Sequence, residues 1–262
     1  MLVQCQKYAR QTCSKYARWN RKTGFFCHHH LVTLAGHQNM WALLPVKDLN
    51  LGKSRLADSL SVIDRHTLMA AMLSDLLNTL RQCHSIHNTV VVTRCPDAAA
   101  IATELGAVVL SLPQDTGLNE AVTAGITTLT QQGVQQAMVL HADLPAVTPE
   151  DIQAAIAAHA AYDQTLVPDT QRNGTNLLLL NLPSRLPFCY GNNSYTAHRQ
   201  AAAQHGLRYQ TFEHPRLGMD LDLWEDMQQL RQIHPDTLPE QLRAWLACHP
   251  DLIRSTQPIA SP

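Results

Sequence analysis

This chain has little net charge, few aromatic residues, no paired cysteine motif and no long apolar run. Its net charge is -1 with an isoelectric point near 6.9, so no overall field would draw it to nucleic acid or a membrane. Any phosphate binding must therefore come from local clusters of charge. The seven cysteines form no Cys-x-x-Cys pair, which disfavours a disulfide framework or zinc site and predicts a reducing, cytoplasmic location. No apolar run is long enough to span a membrane.

Residues 1–39 differ from the rest of the chain. They are basic and irregular, contain three consecutive histidines (28–30), and lack the apolar stretch of a secretory signal. We expect either a disordered tail or translated sequence upstream of a start at Met40; metal binding by the histidines is a weaker alternative. The predicted organisation is this tail, a domain over 40–235, and a C-terminal helical segment and tail over 236–262.

Apolar strands and helical patterns alternate from Trp41 onward. Helical spacing runs from Ile63 to Cys83, for example, and a β-branched strand follows at Thr89–Thr93. The strands are continuously apolar and do not alternate with polar residues, which is typical of strands buried on both faces. The pattern predicts an α/β domain with a mostly parallel sheet, whose ligands lie beyond the carboxyl ends of the strands.

Three cations surround the first predicted strand-to-helix junction. Lys47 ends the first strand, and Lys53 and Arg55 follow Gly52. The segment is not a P-loop, because Lys47 occupies the position where that pattern needs its first glycine. Fixed cations beside backbone N–H groups suit the phosphates of a nucleoside triphosphate. A solvated basic loop is the alternative.

Three aspartates are candidate ligands for a divalent cation. Asp143 follows a buried strand, and a carboxylate there needs a cation, a hydrogen-bond donor or solvent. Asp220 and Asp222 are two residues apart, so on an extended segment they would face the same side. Magnesium prefers such oxygen ligands. For Asp143 the alternative is a helix cap or a turn carboxylate, and the Asp-x-Asp pattern of Asp220 and Asp222 is common outside metal sites.

Two glycine turns carry small donors. Thr175 follows Gly174, and Gly191 leads through a polar turn to Ser194 at the start of a predicted helix, with His198 one turn further on. A helix N-terminus with a serine hydroxyl can bind an anion, although capping by Ser194 and a structural histidine remain open. Asn119 caps the helix that starts near Glu120, or it contacts a base or ribose.

Taken in order, these motifs resemble the phospholactate guanylyltransferase family of coenzyme F420 biosynthesis. The resemblance covers about residues 40–230. The pieces that carry it are Pro45-Val46-Lys47, Lys53-Ser54-Arg55-Leu56-Ala57, Gly117-Leu118-Asn119, His141-Ala142-Asp143-Leu144-Pro145, Pro168-Asp169, Gly174-Thr175-Asn176, Gly191-x-x-Ser194-x-x-x-His198 and Asp220-x-Asp222.

The resemblance implies a single Rossmann-like nucleotidyltransferase domain (MobA-like, GT-A type). It implies transfer of GMP from GTP to 2-phospho-L-lactate, phosphoenolpyruvate or 3-phospho-D-glycerate, with release of diphosphate to solution and the product passed to a downstream transferase. By analogy, two Mg²⁺ ions and the two substrates would be held by four sets of residues. These are Asp143, Asp220 and Asp222 for metal; Lys47, Lys53, Arg55 and Asn119 for GTP; Thr175, Gly191, Ser194 and His198 for the acceptor; and Lys47, Lys53, Arg55 and Asp143 for catalysis.

Other functions remain open on the same residues. A nucleotidyltransferase that loads molybdenum cofactor or a sugar phosphate typically has a glycine-rich first loop. In this chain Gly52 is the only glycine of that loop. A nucleotide-sugar glycosyltransferase could use Asp-x-Asp. A nucleotide-binding sensor without catalysis would be expected to lack a metal ligand, and Asp143, Asp220 and Asp222 are all present.

Overall fold

A computed structural model describes residues 40–114, 117–184, 186–230, 233 and 237–250. The expectations for residues 1–39 and for the C-terminal tail after residue 250 lie outside this range. The strands are β1 (Met40–Val46), β2 (Ile86–Thr93), β3 (Val108–Leu110), β4 (Gln136–Leu140), β5 (Gln164–Pro168), β6 (Thr175–Asn181) and β7 (Tyr209–Thr211). The helices are α1 (Val62–Gln82), α2 (Pro96–Glu104), α3 (Leu118–Gln131), α4 (Pro149–His159), α5 (Ser194–Gln204), α6 (Trp224–Leu230) and α7 (Glu240–Cys248). Two 3-10 turns, Leu49–Leu51 and Ser54–Leu56, follow β1.

These strands form one sheet in the order β3-β2-β1-β4-β6-β5-β7. Each strand pair is parallel except the two that include β6, which runs antiparallel to both β4 and β5. The predicted mostly parallel sheet is therefore confirmed. The antiparallel direction of β6 was not predicted, and it brings the beginning of β6, at Thr175, to the edge where the parallel strands end.

Burial on both faces explains the apolar strands. All residues of β4 are buried, as are Leu177–Leu180 of β6, and helices cover them from both sides. On one face α3 packs directly against β1, because a Cβ at Gly125 would overlap Leu43. The sheet is thus the middle layer of a three-layer fold.

Local signals fix where two of the helices begin. Ser61 and Asp64 form a capping box at the start of α1, and Thr148 and Asp151 form one at the start of α4, where Pro149 occupies the first turn. The second box sets the end of the loop that begins at Asp143. That loop is one side of the site described below.

The C-terminal helix α7 packs against α1. Asp75 of α1 accepts hydrogen bonds from the backbone N–H groups of Gln241 and Leu242, and the Trp245 indole donates to Thr67. Leu242 and Trp245 also join an apolar cluster with residues of α1 and α6. Pro239, the residue before α7, has no side chain that can accept these hydrogen bonds. Asp75 therefore serves as the acceptor for the first N–H groups of α7.

Candidate active site

Neighbouring strands bring Lys47 and Asp143 to the same edge of the sheet. In the parallel ladder between β1 and β4, Leu43 pairs with Val139, and both Lys47 and Asp143 follow four residues later. The antiparallel β6 meets them there, since the His141 N–H donates to the Asn176 carbonyl oxygen. The edge predicted to hold the ligands therefore collects residues from three strands.

Lys53 is buried at this edge. Its backbone is left-handed (φ 54°), which turns the side chain inward from the loop after β1. The ammonium donates to Asp143 Oδ2 at 2.8 Å and to Asp222 Oδ1 at 2.6 Å, and only 3 % of the side chain is exposed. Burial alone would lower the pKa of Lys53, but the two carboxylates outweigh burial and raise this pKa above its usual value. Lys53 therefore stays charged.

The three predicted metal ligands are gathered here with unbalanced negative charge. Burial works to raise the pKa of Asp143, yet the ammonium of Lys53 holds it below the usual range. Asp220 lacks such a cation, so burial and then the charges of Asp143 and Asp222 raise its pKa to about 6. Asn176 Nδ2 donates to Asp220 Oδ1 at 3.3 Å, while the buried Asp143 Oδ1 has no hydrogen-bond partner.

These residues fit a divalent cation by their chemistry. Among the described residues, no three His, Cys, Asp or Glu side chains form a preassembled metal group, and the Lys53 ammonium lies between Asp143 and Asp222. The unpartnered Asp143 oxygen and the protonation-prone Asp220 both indicate a deficit of positive charge. Hard oxygen ligands of this kind suit Mg²⁺. The assignment of metal to these aspartates stays a prediction.

A cleft lies at the same edge of the sheet as these aspartates, on the β1–β2–β3 side. It has a volume of about 310 Å³, which is within the size range of small-molecule sites. Its floor is the carboxyl ends of β1 and β2, and its wall is the start of α3. The lining residues are Pro45, Val46, Lys47, Asp48, Leu51, Val92, Thr93, Arg94, Cys95, Leu112, Gln114, Gly117, Leu118 and Ala121.

Arg94, Gln114 and Asp48 of this cleft were missed from the sequence. Arg94 directly follows Thr93 at the end of β2, so its position in the chain was an available signal. Lys47 and Arg94 are exposed and can meet an anion that enters from solvent. Arg55 is also exposed, on the turn that follows Lys53.

Thr175, Ser194 and His198 contact one another. The Ser194 hydroxyl donates to Thr175 Oγ1 at 3.4 Å, and His198 Nδ1 lies 3.0 Å from the same oxygen. His198 Nε2 accepts from the Cys189 N–H at 2.9 Å. Because that N–H can only donate, the ring proton is on Nδ1 and the histidine is neutral. Burial, with a smaller effect of His141, lowers the pKa of His198 to about 4.

His198 therefore has both ring nitrogens engaged by protein groups. This geometry favours a positioning role, in which it orients Thr175 and the loop at Cys189, over the expected contact with an anion. Ser194 does not cap α5 with its side chain; the residue before the helix is Asn193, in a left-handed conformation. Gly191, with φ 133°, is exposed beside this helix start.

Asn119 lies inside α3, so the expected helix cap is wrong. The residue before the helix is Gly117, whose φ of 91° suits glycine. The Asn119 side chain instead donates to the Tyr190 carbonyl oxygen at 3.0 Å and accepts from the Tyr190 N–H at 2.7 Å. It links the cleft side to the Gly191 loop, and a contact with base or ribose stays a prediction.

The fold is of the Rossmann-like nucleotidyltransferase type. The chain is similar to a putative nucleotide-diphospho-sugar transferase from Desulfovibrio desulfuricans G20, with a TM-score of 0.68 at 18 % identity over 82 % of this chain and 96 % of that one. It is also similar to a 4-diphosphocytidyl-2C-methyl-D-erythritol synthase, with a TM-score of 0.55 at 16 % identity over 76 % of this chain and 99 % of that one. At these identities the likeness establishes the fold.

Sequence comparison then gives the family. The family described as "Guanylyl transferase CofC like" matches residues 40–239. A phosphoenolpyruvate guanylyltransferase of Chloroflexus aggregans (strain MD-66 / DSM 9485) is 38 % identical over 194 residues, which is 72 % of this chain and 94 % of the relative. A 3-phospho-D-glycerate guanylyltransferase of Colwellia psychrerythraea (strain 34H / ATCC BAA-681) is 28 % identical over 188 residues, covering 72 % and 89 %. This chain belongs to the guanylyl transferase CofC-like family, as the motifs predicted, and it is an enzyme that transfers a guanylyl group.

Proposed function

We propose that the enzyme transfers GMP from GTP to phosphoenolpyruvate or a closely related three-carbon phospho-acid, releasing diphosphate. Support for the acceptor comes from relatives at 30–38 % identity that carry the name phosphoenolpyruvate guanylyltransferase, among them those of Chloroflexus aggregans and Conexibacter woesei. The relative named for 3-phospho-D-glycerate is 28 % identical. The identities favour phosphoenolpyruvate as the first acceptor to test.

One observation carries the proposal: the buried Lys53, with its partly exposed partners Asp143 and Asp222, lies at the same strand edge as the cleft lined by Lys47 and Arg94. Cations at the cleft suit the phosphates of GTP. The aspartates would hold a divalent cation, which would offset the negative charge of the substrates. Thr175, Ser194 and the Gly191 turn, on the β6–α5 side, are proposed to hold the acceptor through hydroxyl and backbone donors.

The proposed metal ligands are Asp143, Asp220 and Asp222. When bound, Mg²⁺ supplies neutralisation of charge on the α-phosphate and on the departing diphosphate. Lys53 provides a second, fixed positive charge beside the same carboxylates, and we propose that it also meets the phosphates. Arg55 contributes a further exposed cation on the following turn.

The proposed reaction is a direct displacement. An oxygen of the acceptor phosphate attacks the α-phosphorus of GTP and forms a new P–O bond, while the bond between the α-phosphorus and its bridging oxygen breaks and diphosphate leaves with that electron pair. The acceptor phosphate is largely ionised at neutral pH, so no side chain has to remove a proton. The protein holds the two anions in line and offsets their repulsion with fixed charges.

The pathway and location are also proposals. By family resemblance, the product would pass to a downstream transferase of coenzyme F420 biosynthesis. No helix in the described residues is long and apolar enough to cross a membrane. The four cysteines in the described part of the chain, Cys83, Cys95, Cys189 and Cys248, are free thiols, which supports a reducing cytoplasm.

The test is product mass analysis with GTP, Mg²⁺ and all three acceptors offered together. We expect a guanylylated phosphoenolpyruvate and equimolar diphosphate. A product from 3-phospho-D-glycerate or 2-phospho-L-lactate alone would replace the acceptor but keep the reaction. Absence of any guanylylated phospho-acid would contradict the proposed function.

A further inference from the structure

The carboxylates of the proposed metal site come from two separate segments. Asp143 lies in the loop between β4 and α4, whereas Asp220 and Asp222 lie on the segment that follows β7. Among the described residues, the Leu221 N–H donates to the Asp143 carbonyl oxygen at 3.1 Å, and the Lys53 ammonium bridges the side chains of Asp143 and Asp222. These contacts all lie beside Asp143 itself, so a second attachment further along its loop is needed to set how the two segments sit relative to each other.

Arg216 and Asp151 make that second attachment. Arg216 Nε donates to Asp151 Oδ2 and Nη2 donates to Oδ1, both at 2.6 Å. The Asp151 side chain is only 3 % exposed and also accepts from the Thr148 N–H at 2.9 Å, while His214 Nε2 lies 3.3 Å from Oδ1. Asp151 thus connects the end of the Asp143 loop to the segment that carries Asp220 and Asp222.

The chain between Arg216 and Asp220 is held by burial and by hydrogen bonds, so its residues should move together if Arg216 moves. Leu217 is fully buried, and its carbonyl oxygen accepts from Asn176 Nδ2 at 3.2 Å. The Gly218 N–H donates to the His214 carbonyl oxygen, and the Gly218 carbonyl oxygen accepts from Thr170. A shift at Arg216 would therefore be transmitted to Asp220, four residues further along.

We propose that Arg216 and Asp151 are positioning residues that set the separation between Asp143 and the Asp220-x-Asp222 pair for a divalent cation. The inference rests on the proposed function, because it assumes that these aspartates bind metal. Neither residue is proposed to touch substrate. Outer-shell partners of metal ligands commonly change metal affinity by roughly 10- to 100-fold when removed.

The chain offers a matched control for an ordinary ion pair. Arg208 also contacts a carboxylate with two nitrogens, donating to Asp163 from Nε at 3.2 Å and from Nη2 at 2.9 Å. That pair lies at the β5–β7 side of the sheet and links neither aspartate segment. Arg216→Ala and Arg208→Ala each remove a two-nitrogen contact with a carboxylate, although the Arg208–Asp163 pair is more exposed; only Arg216→Ala should weaken metal binding.

The experiment is titration with Mn²⁺ alone, followed by electron paramagnetic resonance, on the full chain. We expect Arg216→Ala to weaken Mn²⁺ binding roughly tenfold, and Arg208→Ala to leave it within about twofold of the wild type, because Arg208 contacts Asp163 and neither aspartate segment. The apparent KM for Mg²⁺ in guanylyl transfer should rise in parallel, while kcat at saturating Mg²⁺ changes less. Arg216→Lys, which keeps the charge but loses the two-nitrogen contact, should fall between wild type and Arg216→Ala, and it carries the test if Arg216→Ala does not fold.

Equal Mn²⁺ affinities for the Arg216 and Arg208 variants would overturn the positioning role. Asp143→Asn separates this failure from failure of the proposed function. If Asp143→Asn loses Mn²⁺ binding and Arg216→Ala does not, the metal assignment stands and only this inference is wrong. If Asp143→Asn binds Mn²⁺ as the wild type does, both are wrong.

Discussion

The edge where the parallel strands end has two halves, a cleft side lined by Lys47 and Arg94 and an acidic side with Lys53, Asp143 and Asp222. Charged side chains are exposed in one half and paired in the other. On the cleft side, Lys47 and Arg94 are exposed at the ends of β1 and β2. On the acidic side, Lys53 is buried and is paired with both Asp143 and Asp222. The first arrangement leaves cations available for an anion that arrives from solvent. The second fixes charges in place, where their interactions are stronger because water is largely excluded.

This difference shows which charges depend on the fold. An exposed cation depends on the fold only for its position at the end of a strand, and salt weakens its interactions. A buried cation persists only with its partners, so Lys53, Asp143 and Asp222 must be understood as a unit. Substitutions on the acidic side should therefore have large and coupled effects, whereas those on the cleft side should be smaller and depend on salt.

The largest effect is expected for Asp143→Asn. It removes one proposed metal ligand and one partner of Lys53, so we expect kcat/KM for guanylyl transfer to fall roughly 100- to 1,000-fold, as when a key electrostatic group is lost. Diphosphate release measures it, and circular dichroism checks the fold. Asp163→Asn, at the distant pair with Arg208, should stay near the wild type. Near-normal turnover of Asp143→Asn would remove the distinction between the two halves.

Lys53→Met should lower stability in a way that metal partly restores. Without the ammonium, Asp143 and Asp222 face each other uncompensated, and we expect a loss of about 2 kcal/mol, below that of a fully buried pair because 42 % of the Asp222 side chain is exposed. Thermal unfolding in EDTA and in excess Mg²⁺ measures it, and the Tm deficit should be smaller with Mg²⁺. The same deficit in both conditions would contradict a shared role for Lys53 and metal in balancing these carboxylates.

A moderate effect is expected for Lys47→Ala. Because Lys47 is exposed and lines the cleft, its loss should raise the KM for GTP by roughly tenfold at low ionic strength and much less at high salt. Initial rates at two salt concentrations measure this difference. Arg81→Ala, an exposed cation near the end of α1, is the control and should leave the KM for GTP unchanged. An effect of Lys47→Ala that does not depend on salt would place this lysine with the buried group.

The smallest change in stability at neutral pH is expected for His198→Gln, since the contacts of His198 favour a positioning role. The pKa of His198 is about 4 in the folded protein against about 6.5 when unfolded. Between these values the unfolded chain binds more protons, so His198 lowers the free energy of unfolding as the pH falls from 6.5 to 4, by at most about 1.4 kcal/mol per pH unit. Urea unfolding at pH 7 and pH 5 should show a smaller loss in His198→Gln than in wild type. The exposed His84→Gln should lose as much as wild type; an identical loss in all three proteins would contradict the buried, neutral state.

Much of the fold could be predicted from local pattern. Continuous apolar strands identified the parallel sheet, and the helical spacing from Ile63 to Cys83 predicted α1 close to its observed bounds. The direction of β6 could not be predicted, because an antiparallel strand buried on both faces has the same apolar pattern as a parallel one. The packing of α7 depends on Asp75, a contact between residues far apart in the chain.

The site could be predicted only as far as strand ends indicate. Lys47 and Asp143 were assigned to one edge because each follows a strand, whereas the arrival of Thr175 there depends on the unpredicted direction of β6. The burial of Lys53 between two aspartates depends on its left-handed backbone, which no glycine or asparagine signalled. The contacts of Asn119 with Tyr190 and of Arg216 with Asp151 join distant segments, so no local spacing could have indicated them.

The central claim is that Asp143, Asp220 and Asp222 share a divalent cation beside the Lys53 ammonium. The most direct measurement is anomalous diffraction from crystals of the enzyme grown with Mn²⁺ and a non-hydrolysable GTP analogue. The account predicts an anomalous peak in contact with oxygens of these three aspartates and with a phosphate of the nucleotide. Bound nucleotide with manganese elsewhere, or with no manganese at these carboxylates, would contradict it.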